Sequence, residues 1–468
     1  MKSDVRDLTT GPLGKGIFLF SVPLILSNLL QILFNMSDIA VVGRFAGAAA
    51  LGSVGSTTTL VTLFTGFLIG VGSGINVVVA RYLGQRHDGE TREAVHTAFI
   101  LCLLIGTAAL LVGELTAGGI LTLLRTKEEL LHGAVLYLRI YFLGMPALAL
   151  YNFGNAVFSA AGDTKKPLFF LLMAGVLNVL LNLLFVIGFR MDVAGVALAS
   201  ILSQYLSAVC VVAALSKAEG PHALKAGHMS VEWRKAQLML SISLPAGVQN
   251  AIFQLANLFV QFGVNSFDTA TVAGNAAAQN ADGLVYDVMA AFYTACGSYM
   301  GQNYGAGKLR RTRNAYRVSL FMSFFAGSAM GLTLLFFGHE FLSLFTADPE
   351  VAAAGMFRLK VMGLSYGFSA FMDCTIAASR ALGRGSVPTV IVILGSCLFR
   401  IVWIFTVFAH FRTITSLYLV YIFSWTITAA GEYIYFRKVL RETGIAAASE
   451  MPEAPDGRSS RTAERFAG

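Results

Sequence analysis

Asn28, Gln31, Asn35 and Asp38 recur in steps of three, four and three inside an otherwise apolar run, PLILSNLLQILFNMSDIAVVGRF, at residues 23–45. At about 100° per residue they share a stripe about 80° wide on one helix. The run is long enough to cross a bilayer, so the stripe puts amides and a carboxylate at membrane depth. A carboxylate there costs about 2.5–3.5 kcal/mol on insertion scales, and it must face a bundle interior or a wet cavity. The chemistry open to it is to take up and release a proton or a metal cation. Asp38 is therefore the candidate coupling acid. The competing reading is a structural Asp hydrogen-bonded to Asn35 or Asn178.

Other polar residues sit at helical spacing in apolar surroundings. Asn178 and Asn182 are four apart, hence on one helix face. Asn250, Gln254, Asn257 and Gln261 form a second stripe about 60° wide. Gln279, Asp282, Tyr286 and Tyr293 share one face of a later span, with Asp287 about 140° from Asp282. Asp282 is expected to face a cavity, against the alternative of polar packing between helices. Asp373 is a similar candidate, and Arg400 is expected to neutralise one of these acids. Gln31, Gln254, Asn257, Gln279, Asp282, Tyr286, Tyr293 and Asp373 are the candidate cargo-contacting set.

Catalytic patterns are missing. His87, His222, His228 and His339 fall in loops or at span ends. No HxxxH, HExxH or phosphate-cradling glycine loop occurs, and no nucleophile with a base and an orienting acid stands out. The five cysteines are scattered singly through apolar runs, the pattern of small buried hydrophobes. Neither an enzyme nor an ATP-driven pump is expected, and no cofactor.

The elements that must hold these residues are membrane helices. Of 468 residues 56% are hydrophobic and 13% charged, with mean hydropathy +0.68, outside the range of soluble globules. Apolar runs long enough to span about 30 Å of hydrocarbon recur throughout. Twelve spans are expected, near 16–42, 52–79, 94–113, 131–156, 167–188, 193–216, 238–266, 272–299, 315–338, 352–379, 388–409 and 415–436. The net charge of +8 sits in loops. One set carries Arg81, Arg86, Arg92, Lys165, Lys166, Lys217, Lys225, Arg234, Lys235, Lys308, Arg310, Arg311, Arg313, Arg380 and Arg384, together with both termini. The opposite loops are poorer in basic residues. Positive charge inside then places both termini in the cytoplasm of a multi-pass protein of the cell (inner) membrane, and nucleic acid is not an expected partner. The N-terminus shows no signal-peptide pattern, so the first span itself is the expected insertion signal. The tail, 442–468, is aperiodic and expected to be disordered, with Arg458, Arg461 and Arg465 in solvent.

The chain repeats itself. Pro23, Asn28 and Asn35 return as Pro245, Asn250 and Asn257, 222 residues on. Gly84-Gln85 follows the second span as Gly301-Gln302 follows the eighth, and AG-x4-P at 161–167 returns as LG-x4-P at 382–388, at offset 221. The reading is an N-terminal six-helix lobe (1–216), a linker (217–237) and a C-terminal six-helix lobe (238–441). Six is even, so both halves start on the same side, and a cavity at their interface is the expected cargo site.

These residues resemble the multidrug and toxic compound extrusion (MATE) family over about 12–440. The resemblance rests on the first-span pattern with Asn35, Asp38 and VVGRF, GQNYGAGK at 301–308, AAGDTKKP at 160–167, NVLLN at 178–182 and AGVALAS at 194–200. It implies alternating access between two lobes, with organic cations exported in exchange for protons or sodium; separately, a monomer is expected. It also implies a cation site at Asp38, Asn178, Asn182 and Ser200, with Asn35 beside it, and a sodium ion, if used, at Asp38, Asn178 and Asn182. Asn182 departs from the family pattern, which commonly has an Asp there. A second site with a Glu on the seventh span is incomplete here, where Phe253 and Gln254 stand. The alternative function is a lipid-linked oligosaccharide or peptidoglycan-precursor flippase, which should line its cleft with several Arg or Lys. A receptor or intramembrane enzyme would need an output domain or a catalytic set.

Overall fold

The computed structural model describes residues 6–124, 126–225, 227, 229–363 and 365–448, and their regular structure is entirely helical. In the first half, α1 (Leu13–Val41) ends in a π-helical turn, Val42–Ala46, and α2 (Gly47–Gln85) follows. Then come α3 (Asp88–Leu123), α4 (Glu128–Phe142), α5 (Met145–Ala160), α6 (Lys165–Asn182) with a π-helical turn at Leu183–Gly188, and α7 (Asp192–Lys217). The second half has α8 (Trp233–Val264), α9 (Thr269–Gly305), α10 (Leu309–Ser343), α11 (Pro349–Gly363) and α12 (Tyr366–Ala381). It closes with α13 (Ser386–Val392), α14 (Phe399–Trp403), α15 (Ala409–Phe411), α16 (Ile414–Glu442) and the short α17 (Ile445–Ala448).

These helices make twelve spans. Length and apolarity alone qualify eight, or ten with each bent pair counted as one span. The pairs are α4–α5, bent by 46°, and α11–α12, bent by 50°. The run Leu13–Gln85 is 73 residues, about 110 Å if straight and far beyond one bilayer crossing. Gly47, at φ +89°, breaks it in two; a side chain is strained in that conformation. The remaining span is α9, whose Asn275, Gln279, Asn280, Asp282 and Asp287 dilute its hydropathy. The α13–α15 run is one span carrying two π-helical turns, Ile393–Leu398 and Ile404–Phe408. Helices overrun the expected ends: α3 starts at Asp88 rather than 94, and α9 runs to Gly305 rather than 299. Backbone hydrogen bonds keep a helix going past the hydrocarbon edge, where composition no longer marks it.

The linker between α7 and α8 is fastened to α3, and one expectation, a disordered tail from 442, needs correcting. His222 and Leu224 are buried, Lys225 N–H donates to His96 Nε2 at 3.0 Å, and Glu232 N–H donates to Thr97 Oγ1 at 3.0 Å. The tail is ordered further than 442: α17 packs Ile445 into the core, because Ile445 offers an apolar side chain just past the helix turn. Residues 449–468, with Arg458, Arg461 and Arg465, lie outside the described residues, as do Arg125 and His228.

Helices α1–α7 pack as one lobe and α8–α16 as another, and the seam is α2 against α8 and α9 with α1 against α9. Its contacts obey the repeat. Asn28 Nδ2 on α1 donates to the Asp287 carbonyl on α9 at 2.7 Å. Its counterpart, Asn250 Nδ2 on α8, donates to the Gly66 carbonyl on α2 at 3.1 Å. Ser298 Oγ donates to Asn76 Oδ1 at 3.1 Å across a separation of 222 residues, so equivalent positions touch each other near the pseudo-two-fold axis. The seam is tightest at the end of the bundle carrying the basic loops. A Cβ on Gly84 would lie 2.0 Å from the Gln302 carbonyl oxygen, and one on Gly305 2.0 Å from that of Arg81.

A strap, Arg6–Pro12, crosses this closed end and ties both lobes. Arg6 N–H donates to the Ala161 carbonyl at 2.9 Å, and Arg86 pairs with Asp7 at 3.0 Å. On the other lobe Leu8 N–H donates to Gln302 Oε1 at 3.0 Å, Asn303 Nδ2 to the Leu8 carbonyl at 3.2 Å, and Lys308 Nζ to the Thr9 carbonyl at 2.9 Å. Burial pushes the Asp7 carboxyl up. Bonds from Thr9 and the charges of Arg86 and Lys308 outweigh this and hold it below the usual carboxylate range.

Gly84→Val and Gly305→Val should each destabilise the detergent-solubilised protein by about 1–3 kcal/mol, the range for overpacking. Gly89→Val, with open space around its Cβ, should leave it nearly unchanged. Thermal unfolding checks this; equal effects at all three positions would mean that the seam is not the constraint.

Candidate functional site

Asp38 lies near the far end of α1, where α6 and α7 pack against it. Asn178 and Asn182, one turn apart on α6, and Ser200 on α7 are all buried. Asn182 Nδ2 donates to Asp38 Oδ1, and Ser200 Oγ donates to Asp38 Oδ2 at 3.2 Å. Asn182 Nδ2 also reaches Asn178 Oδ1 at 3.3 Å, and Asn178 Nδ2 reaches Ser200 Oγ at 3.5 Å. The amide oxygen of Asn182 is buried without a hydrogen-bond partner. One carboxylate therefore meets a set of neutral groups, and no cationic side chain pairs with it among the described residues. Such a site can hold a proton or a small cation on a single negative charge.

The structure brings together four of the five residues expected at this site. Asn35 is exposed, as is Gln31, and neither hydrogen-bonds Asp38 among the described residues. The side chain of Asn35, three residues earlier on the same stripe, does not reach the carboxylate. Tyr137 and Tyr141 on α4, with rings stacked at 5.9 Å, are buried close behind Asp38. Sequence spacing gave no sign of them, because α4 lies far from Asp38 in the chain.

In the second lobe the expectation for Arg400 is overturned. Asp282 on α9 is tied within its own lobe while staying partly exposed: Arg358 on α11 pairs with it, and Tyr366 Oη on α12 donates to it. Arg358 is 1% exposed and also donates to Asn275 Oδ1 at 2.7 Å. Arg400 pairs with no acid among the described residues. It donates to Asn257 Oδ1 at 2.6 Å and to Ser424 Oγ at 3.2 Å. Its guanidinium lies between Phe253 at 4.6 Å and Tyr421 at 4.7 Å, and Arg358 sits over Tyr418 at 5.1 Å and Tyr421 at 5.3 Å. Two cations thus share Tyr421, each held by ring faces as well as by oxygens. The side-chain oxygen of Asn257 is taken up by Arg400, and the residue is half-buried.

The other candidates are scattered. Gln279 is exposed and donates to Gln261 Oε1 at 3.3 Å. Tyr286 is 49% exposed. Gln254, Tyr293 and Asp373 are half-buried, and Tyr293 borders the seam. Sequence reasoning missed Arg358, Arg380 and Glu432. Arg358 and Glu432 fall inside expected spans, 352–379 and 415–436, and a charge inside a span was the signal available. Both carboxylate oxygens of Glu432 are buried without hydrogen-bond partners.

A family model described as MatE matches residues 23–184 and again 245–406. The chain is 31% identical over 369 residues to "Probable multidrug resistance protein YpnP" of Bacillus subtilis (strain 168), covering 77% of this chain and 81% of that protein. It is 24% identical to the "FAD transporter" of Shewanella oneidensis, over 78% of this chain and 81% of that one. A solved structure described as the outward-facing conformation of a multidrug resistance MATE family transporter of the MOP superfamily superposes with TM-score 0.87 at 19% identity. It covers 96% of this chain and 99% of that one, a likeness of fold.

Removing one partner of a buried ion pair costs about 3–5 kcal/mol. Asp282 keeps some solvent contact, its side chain being 24% exposed, so the loss in Asp282→Asn should fall at or below the low end. The double change Asp282→Asn with Arg358→Gln should recover part of it. Thermal unfolding of the three variants checks this; additive losses would mean that the pair is uncoupled.

Proposed function

This chain belongs to the MatE family, and on that premise we propose that it is a secondary transporter that exports amphipathic organic cations in exchange for protons entering at Asp38. The observation that carries the reading is a lone carboxylate whose two oxygens take hydrogens from Asn182 and Ser200, with no cationic side chain paired with it among the described residues. Neutral donors orient a carboxylate but leave its charge unanswered, so in a water-excluded state it gains from a proton or a small cation. The amide and hydroxyl present hydrogens rather than oxygens to Asp38, which holds its ionised form in this state; a proton displaces only one of these donors. Sodium would need Asp38, Asn178 and Asn182 to turn their oxygens inward.

Exchange follows from competition for one negative charge. With a proton or a cationic cargo bound, the site is close to neutral and the lobes can rearrange. Empty and ionised, it would carry a bare carboxylate through hydrocarbon, at about 2.5–3.5 kcal/mol. We place the end with the basic loops, and both termini, in the cytoplasm of the cell membrane. The seam closed there then makes this the state that receives protons from, and releases cargo to, the outside. The protein works as a monomer in the bilayer, with small organic cations as partners and no bound cofactor.

Liposomes loaded with a cationic dye and subjected to a proton gradient, then to a sodium gradient, test the reading. Asp38→Asn should keep the fold and reduce gradient-driven dye movement to that of protein-free liposomes. Ser200→Ala should slow proton-driven movement less than about tenfold, within reach of one hydrogen bond. Full gradient-driven transport by Asp38→Asn would sink the proposal, and movement on sodium alone would replace the proton with sodium.

A further inference from the structure

Between α2, α5, α9 and α12, in the closed half of the seam, lies a cavity of about 80 Å³, room for several waters or a small ligand. Residues one repeat offset (221) apart both line it: Ala156 with Ala377, and Ser159 with Arg380. The backbones match, but the charge does not. Where the first lobe has a hydroxyl, the second has a guanidinium, and Arg380 is the one formally charged residue in the lining.

Both members of that pair are under-used. Ser159 is 1% exposed, and its Oγ has no hydrogen-bond partner. Arg380 is 6% exposed; its Nη2 donates to Gln249 Oε1 at 2.9 Å, while its Nε has no partner. A guanidinium has five N–H donors and does not lose its charge in proteins. Asp373 on α12 and Glu432 on α16 are near enough to act on it, yet neither forms an ion pair with it among the described residues, and neither lines the cavity. Gln249 is shared with Thr389 Oγ1 at 3.3 Å. Asp373 and Glu432 offset its charge from a distance, but neither meets the hydrogens that Arg380 turns toward the cavity.

We infer that this cavity is an anion subsite for a carboxylate, held by the Arg380 guanidinium with the Ser159 hydroxyl in the same lining. A carboxylate is planar, carries one charge and matches the guanidinium fork. Two sources share that chemistry: an acid group on the cargo itself, or a free small carboxylate. The first rests on the transporter reading above. Binding in detergent needs no transport, so failure of this inference and failure of ion coupling are separable.

The test compares rhodamine 110, a free acid, with rhodamine 123, its methyl ester, by fluorescence anisotropy on the purified full chain. Sodium formate replacing chloride at constant ionic strength is the second arm, read by thermal unfolding. If the cargo supplies the carboxylate, wild type should bind the acid about tenfold more tightly than the ester. The ratio should fall to about one in Arg380→Gln and in Ser159→Asp, which sets a carboxylate of its own against Arg380. If the source is free, formate should raise the unfolding temperature of wild type and of neither variant, with no acid preference between the dyes. Should Arg380→Gln fail to fold, Ser159→Asp carries the comparison. Neither a preference nor a formate shift in wild type, or either one surviving in the folded variants, overturns the subsite.

Discussion

A charge inside hydrocarbon must be answered, and the placement of helices in this bundle follows from how each one is. Arg358 is answered by Asp282. Arg400 is answered by an amide oxygen, a hydroxyl and two ring faces. Asp38 is answered only by neutral donors. The magnitudes rank these solutions. A neutral hydrogen bond nets about 1 kcal/mol, whereas an ion taken out of water is several kcal/mol worse off. Two such bonds to Asp38 do not close that gap. The unanswered remainder sets Asp38 apart from the paired charges of the second lobe.

The internal repeat fixes the seam but not the sites. Asn28 and Asn250, one offset apart, make equivalent crossed contacts to α9 and α2, and Asn76 meets Ser298 on the axis itself. Symmetry of this kind needs only backbone carbonyls and small residues, which both halves retain. The charges have diverged. The first lobe keeps one carboxylate among amides, while the second holds Arg358, Arg380, Arg400, Asp282, Asp373 and Glu432. One scaffold thus presents two different electrostatic faces to whatever lies between the lobes.

The spans were legible because a bilayer imposes one length and one polarity on every crossing, and the repeat was legible because its Pro, Asn and Gly positions kept their spacing. Asp38, Asn178, Asn182 and Ser200 were assembled by resemblance, with the i, i+4 step placing the two amides on one face. The second lobe was not legible, because a helical wheel gives a direction and not a partner. Asp282 shares a face with Gln279 and Tyr286, yet its carboxylate is taken by Arg358, 76 residues on. Arg380 reads as a loop cation that sets topology, but it lies within the last turn of α12, buried. Side chains on a helix lean toward its N-terminus, so a residue at the span's end reaches back into the membrane.

Asn182 in place of a second acid sets how much charge the site can carry. Two carboxylates at this site would carry two negative charges and repel each other until one was protonated. One carboxylate beside an amide carries one charge, matched by one proton or one monovalent cation. An amide also serves both states of its neighbour. Its NH2 donates to the ionised carboxylate, as Asn182 does to Asp38 here. Its oxygen, buried and without a partner in this state, is the acceptor that a protonated Asp38 would need. An ionised carboxylate at 182 would offer no hydrogen to an ionised Asp38. The departure from the common pattern thus leaves a site in which both charge states of a single acid have a hydrogen-bond partner.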